Sequence, residues 1–160
     1  MRLGSRLLVG AIAGIVGTMA MTATMRRLHR KLPPGERYPL TPREIVDAAV
    51  EPADEPGREL TIAAHFAYGA GCGAVLAAVN PRVGPLSGAV AGGAIWLTSY
   101  MGWIPAAGLL KPATDHPARR NALMIVAHLV WGWTTAEAIS ELGAARGSIF
   151  AEGEDRDAAA

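Results

Sequence analysis

Residues 83–110 read "VGPLSGAVAGGAIWLTSYMGWIPAAGLL", twenty-eight positions without a single Asp, Glu, Lys or Arg. A helix of about 20 mostly apolar residues is long enough to cross a hydrocarbon core of about 30 Å. Soluble helices of that length normally carry a charged face, and this stretch has none. Inside lipid the backbone polar groups must be satisfied within the segment, so the stretch is expected to be helical. Residues 7–25, 60–81 and 121–136 are equally free of charge, and the last keeps its apolar pattern to Leu142. The sequence therefore predicts an all-α fold, an integral membrane four-helix bundle, with spans at about 4–26, 60–80, 84–109 and 119–142. The first span follows Arg2 and Arg6 as a secretory signal would. Its apolar run is long for one, and it ends in "MRRLHRK" (25–31), a stop-transfer pattern, so it is expected to stay as a membrane helix.

Composition agrees. The 160 residues suit one domain, with the membrane unit over 1–142 and a disordered tail over 143–160. Hydrophobic residues make up 51% and charged residues 18%, below the roughly 25% of an average soluble domain. A net charge of +1 gives no reason to expect a nucleic-acid partner. The single cysteine, Cys72, excludes an intrachain disulfide framework and a cysteine-rich zinc site.

The apolar stretches echo one another. "AHFAYG" (64–69) and "AHLVWG" (127–132) are one word: a histidine, two apolar residues, an aromatic and a glycine. "GAIAGIVGTMAMT" (10–22) and "GAVAGGAIWLTSY" (88–100) share a Gly-Ala-apolar-Ala-Gly opening. The order of these words makes two pseudo-repeated hairpins, each of two spans, entering the membrane in the same direction. Loops one and three carry ten of the fifteen Lys and Arg residues, which places them in the cytoplasm and both termini outside. Arg2 and Arg6 oppose that assignment.

Between the spans the turn chemistry is explicit. "TPREIVDAAV" (41–50) has Thr41 to cap, Pro42 at the first helical position and Glu44 to complete a capping box, so a short helix is expected at about 42–50. "EPADEPG" (51–57) breaks it, and "NPRVGP" (80–85) is a tight turn. "TDHPARR" (114–120) opens the fourth span, with Asp115 or His116 near the cap and Pro117 in the first turn.

Burial alone does not bring helices together in lipid; small residues do, by letting backbones approach. Gly10 and Gly14, Gly69 and Gly73, and Gly84, Gly88 and Gly92 each recur at four-residue spacing, and Gly132 follows His128 by one turn. These are the expected packing faces, and they also offer a face for a homodimer, the bilayer being the other partner.

His65 and His128 stand about 9 and 12 Å along their helices from the last charged residue, so they share a depth in the cytoplasmic half. Thr18 and Thr22 on the first span reach the same level, with Thr98, Ser99 and Tyr100 as counterparts on the third. A layer of imidazoles and hydroxyls is thus expected across the bundle. Its ordinary use is interhelical glue, worth about 0.6 kcal/mol per bond in membranes. Three functional uses compete: a proton or solute path, haem or metal ligation by His65 and His128, and an active site. No Ser-His-Asp set, CxxC, HExxH or phosphate loop is present, so no catalytic residue is expected, and no cofactor is assigned.

"GAVAGGAIWLTSYMGWIPAAGL" (88–109) followed by "AHLVWGWTTAEAISEL" (127–142) resembles the C-terminal half of the YagU-like bacterial inner-membrane proteins. The His-Leu-Val-Trp word with Trp133 and Glu137 is the most specific part, and "HFAYGAGCGAVLAAVNP" (65–81) is similar to the family's earlier histidine helix. The resemblance covers roughly residues 60–142. It implies a small multi-pass protein of the bacterial plasma (inner) membrane and supplies no catalytic roles. The expected function is accordingly a structural or accessory, non-enzymatic one, with a small-solute or proton transporter or a histidine-ligated cofactor protein as the alternative.

Overall fold

The computed structural model describes residues 1–50 and 56–153. Residues 51–55 of the breaker expected over 51–57 and 154–160 of the tail expected over 143–160 lie outside those residues. Helix α1 runs Leu3–His29, α2 Thr41–Ala49, α3 Pro56–Val79, α4 Pro85–Thr98, α5 is the single turn Ile104–Ala106, and α6 runs Ala118–Arg146. A π turn, Ser99–Trp103, joins α4 to α5. Among the described residues there is no strand, and the fold is an all-helical bundle. Three helices, Leu3–His29, Gly57–Val79 and Ala118–Arg146, are long and apolar enough to cross a membrane.

The apolar stretch that opened the sequence is not one uninterrupted α-helix. Pro105 has no N–H to return to the carbonyl four residues back. The chain widens ahead of it, and the N–H of Ile104 reaches the Ser99 carbonyl five residues back. The regular helix thus ends at Thr98, well short of the 109 expected. Helix α6, conversely, runs through Gly143 to Arg146, so residues 143–146 are helical rather than tail. Pro117 is its N-cap instead of a first-turn residue, and neither Asp115 nor His116 caps it by side chain. The turn between α3 and α4 forms as expected, with the Val83 N–H donating to the Asn80 carbonyl.

Helices α1 and α6 pack together at the centre; α3 lies along α1, and α4 along α6. No extended packing joins α3 to α4. The two outer pairings are built alike from small residues. Gly10 and Gly14 face the Gly73 and Gly69 backbone, while Gly88 and Gly92 face Gly132 and His128. A side chain at Gly10, Gly14, Gly73, Gly88, Gly92 or Gly132 would collide with backbone, and one at Gly69 with the Thr18 side chain. The two seams are slid by one turn, because Gly10 meets Gly73 whereas its echo Gly88 meets Gly132, the echo of Gly69. Gly84 takes no part: Pro85 starts α4, so Gly84 is its N-cap, bonded to the Ser87 hydroxyl and accepting from the Gly88 N–H. These glycines are used in packing between helices of the chain.

Polarity runs from outside to inside. Leu8, Ile12 and Met19 on α1, Ile62 and Val75 on α3, Leu86 and Val90 on α4, and Val126 and Leu129 on α6 are all exposed. The largest side chains that are fully buried are two threonines, Thr18 and Thr135.

Candidate functional site

Because α3 and α4 flank the central pair without packing on each other, a space remains between them. It is a cavity of about 260 Å³, lined by residues of all the long helices and of α2. Five of the seven residues of the expected polar layer line it: Thr18, His65, Ser99, Tyr100 and His128. Thr22 and Thr98 do not. Each hydroxyl folds back onto its own helix, Thr22 to the Thr18 carbonyl at 2.8 Å and Thr98 to the Ala94 carbonyl at 2.9 Å, and both residues are exposed. Such back-bonding satisfies a threonine on a helix without any partner across the bundle.

The repeated word explains what faces the cavity. A histidine and an aromatic three residues later share one helix face. Accordingly His65 and Tyr68 line the cavity from α3, and His128 and Trp131 from α6. The His128 Nδ1–H donates to the Met124 carbonyl at 2.7 Å. A carbonyl only accepts, so the neutral ring carries its proton on Nδ1 and presents Nε2 as an acceptor. His65 Nε2 is buried without a partner among the described residues. The indole N–H groups of Trp96 and Trp131, both cavity-lining, are in the same condition. Buried polar groups are normally paired, so three orphaned ring nitrogens around one cavity call for an explanation.

The π turn supplies the opposite wall. It buries Ser99 and Tyr100. The Ser99 hydroxyl bonds the Tyr68 hydroxyl at 3.0 Å and accepts from the Trp103 indole at 3.2 Å, which bridges α3 to the end of α4. Tyr100 stacks on Trp96, with ring planes 18° apart and centroids 5.9 Å apart. π turns inside helices recur at functional sites.

Helix α2 covers the end of the cavity with Thr41, Pro42, Ile45 and Val46. The capping box does not form: Leu40 is the N-cap, and the Thr41 hydroxyl bonds the Tyr100 hydroxyl instead. Glu44 turns to Arg120 at 3.5 Å. Arg120, 3% exposed, donates to the carbonyls of Glu36 at 3.1 Å, Tyr38 at 2.9 Å and Pro39 at 2.7 Å. One guanidinium at the start of α6 thereby fixes the connection that places α2. Burial pushes the Glu44 carboxyl above its ordinary value, against the opposing pull of Arg120 and then of His116.

Arg120, Trp96 and Trp131 stand outside the polar layer that the sequence predicts. The signal for Trp131 was present, since it occupies in its word the place of Tyr68. Nothing local marks Arg120, whose three carbonyl partners lie more than eighty residues away. Among the described residues no three His, Cys, Asp or Glu side chains gather into a set able to hold a metal ion. Cys72 lines the same cavity as the two histidines. No family model, curated protein or solved structure matches this chain.

Proposed function

We propose that the chain is a four-span protein of a bacterial cytoplasmic membrane, akin to the YagU-like proteins, with a non-enzymatic accessory role built on its interior cavity. The observation that carries this reading is the inverted polarity of the bundle. Leu8, Ile12, Ile62, Val75, Leu86, Val90, Val126 and Leu129 face outward on the long helices, while Thr18, Ser99 and Thr135 are buried and His65 and His128 line the interior cavity. Water would penalise that arrangement at roughly 25 cal/mol per Å² of apolar surface, and hydrocarbon does not. The fourth span is α4 with its π turn and α5, residues 85–106, roughly 33 Å of helix at 1.5 Å per residue. Loops one and three lie in the cytoplasm and both termini outside, by the excess of Lys and Arg.

Reporter fusions test the orientation. A periplasm-active phosphatase fused after Arg146 is expected to be active, and one placed in the loop after α1 inactive; the reverse pattern would invert the assignment. A second reading, a path for a proton or small solute, is favoured by His65 and His128 reaching one cavity. Reconstituted vesicles that carry a proton or solute flux abolished by His128→Leu would establish it. Ligation of haem is disfavoured by size, since 260 Å³ lies below the roughly 300 Å³ at which small-molecule sites begin.

A further inference from the structure

We propose that the outward face of α1 binds an anionic phospholipid, with the phosphate at Arg26 and Arg30 and an acyl chain along the apolar residues that precede them. The inference rests on the membrane reading, since the ligand belongs to the bilayer. Residues spaced three, four and seven apart share one stripe of a helix. Leu8, Ile12, Ile15 and Met19 keep that spacing and are all exposed. Arg26 continues the stripe seven residues after Met19, and Arg30 four residues later; both are exposed. Gly10, Gly14 and Gly17 take α3 and α6 on the opposite side of α1. The face therefore passes from hydrocarbon to cation with no other element across it. The step from Met19 to Arg26 is about 10 Å of helix. A phospholipid makes the same passage from chain to phosphate, whereas a nucleic acid or an acidic peptide brings the charge without the chain.

Charge selects the headgroup. Arg27 and Lys31 are exposed beside the pair, so four cations stand within six residues. Like charges one turn apart on a helix repel. Residues 1–35 contain no Asp or Glu, and Glu36, the first, keeps one carboxylate oxygen buried. Among the described residues the ion pairs are Arg43 with Asp47 and Arg120 with Glu44, so no carboxylate there answers the four. The carboxyl end of the α1 dipole favours cations but neutralises none of them. One more joins from α6: Met25 and Leu32 pack in one cluster with Leu123 and Met124, which brings the exposed Arg119 to the same end of the bundle. Four or more Lys and Arg at the cytoplasmic end of a membrane helix draw anionic headgroups. A guanidinium meets a phosphate through two parallel N–H bonds.

The test places the full chain in lipid nanodiscs of dioleoylphosphatidylcholine, with or without dioleoylphosphatidylglycerol, and follows helical circular dichroism on heating. Phosphatidylglycerol is expected to raise the melting temperature by several degrees, and molar salt to remove most of that rise. Arg26→Gln, Arg27→Gln, Arg30→Gln and Lys31→Gln together are expected to abolish the rise. Arg2→Gln with Arg146→Gln, two exposed cations at the other end of the bundle, is expected to keep it. Equal melting in the two lipids would overturn the proposal, and so would a rise that persists in the fourfold variant, whatever that variant's own stability. A rise of the same size from inorganic phosphate over phosphatidylcholine would assign the cluster to a soluble anion and overturn the lipid. The membrane reading fails separately: a chain soluble without detergent that sediments with phosphatidylglycerol vesicles, and not with phosphatidylcholine ones, would refute that reading and keep this one.

Discussion

The guanidinium carbon of Arg120 lies 3.5 Å from the centre of the Tyr38 ring. The same group donates to three loop carbonyls and faces Glu44, so one side chain on α6 organises the whole approach to α2. Removing one partner of a buried, hydrogen-bonded charge leaves the others unpaired, at about 3–5 kcal/mol. Arg120→Met is expected to lower stability by that order, measured as loss of helical signal on heating in detergent. Arg120→Lys is expected to recover little, because an ammonium cannot span three carbonyls in the plane a guanidinium does. Full stability in the lysine variant would contradict the clamp.

Glu44 gives a pH dependence with a definite sign. Its folded value is raised, mainly by burial, so the folded chain holds the Glu44 proton more tightly than the unfolded chain does. The stability that this protonation contributes is fully present below the ordinary carboxylate value of 4.5 and is lost as pH rises through the folded value. Melting temperature is expected to fall across that window, and Glu44→Gln is expected to flatten the profile. An unchanged profile in the glutamine variant would remove Glu44 as the cause.

The glycine seams predict a contrast between glycines on and off the seams. Gly92→Val drives a side chain into the His128 carbonyl, whereas Gly71 has nothing within 4 Å of where a Cβ would stand. Overpacking of this kind costs roughly 1–3 kcal/mol. Gly71→Ala is expected to be neutral or to stabilise by up to about 1 kcal/mol, as glycine removed from a helix interior does. Equal stability of the two variants, compared by thermal unfolding in one detergent, would count against close packing of α4 on α6.

The bond between the Thr41 and Tyr100 hydroxyls tethers α2 over the cavity. Tyr100→Phe removes the tether and costs about 0.5–1.5 kcal/mol, the net worth of one hydrogen bond. The loss is expected to be local: faster amide exchange over residues 41–49, with exchange in α6 unchanged. Uniform acceleration along the chain would show that the tether supports the whole bundle instead.

Much of this arrangement is legible in the residues because membrane-like helices obey few rules. Charge-free runs locate α1, α3 and α6, and four-residue glycine spacing locates the seams, since both depend only on helical period. The His-aromatic word places His65 and His128 on one cavity for the same reason. What escaped depends on contacts distant in sequence. All three threonine hydroxyls bond their own helix, and the sequence does not tell that Thr18 is buried against Gly69 of a neighbouring helix while Thr22 and Thr98 are exposed. Thr41 carries a capping signal, yet its hydroxyl is taken by Tyr100, fifty-nine residues away. Pro105 marks a break in the third apolar stretch, but its position alone does not tell a π turn from a kink.

The central claim is that the bundle sits in hydrocarbon with its polar groups turned inward. Alkaline carbonate extraction of membranes from expressing cells tests it most directly, because it strips peripheral proteins and leaves spanning ones. The full chain is expected to remain entirely in the membrane pellet and to leave it only when detergent is added. Release into the carbonate supernatant would contradict the account.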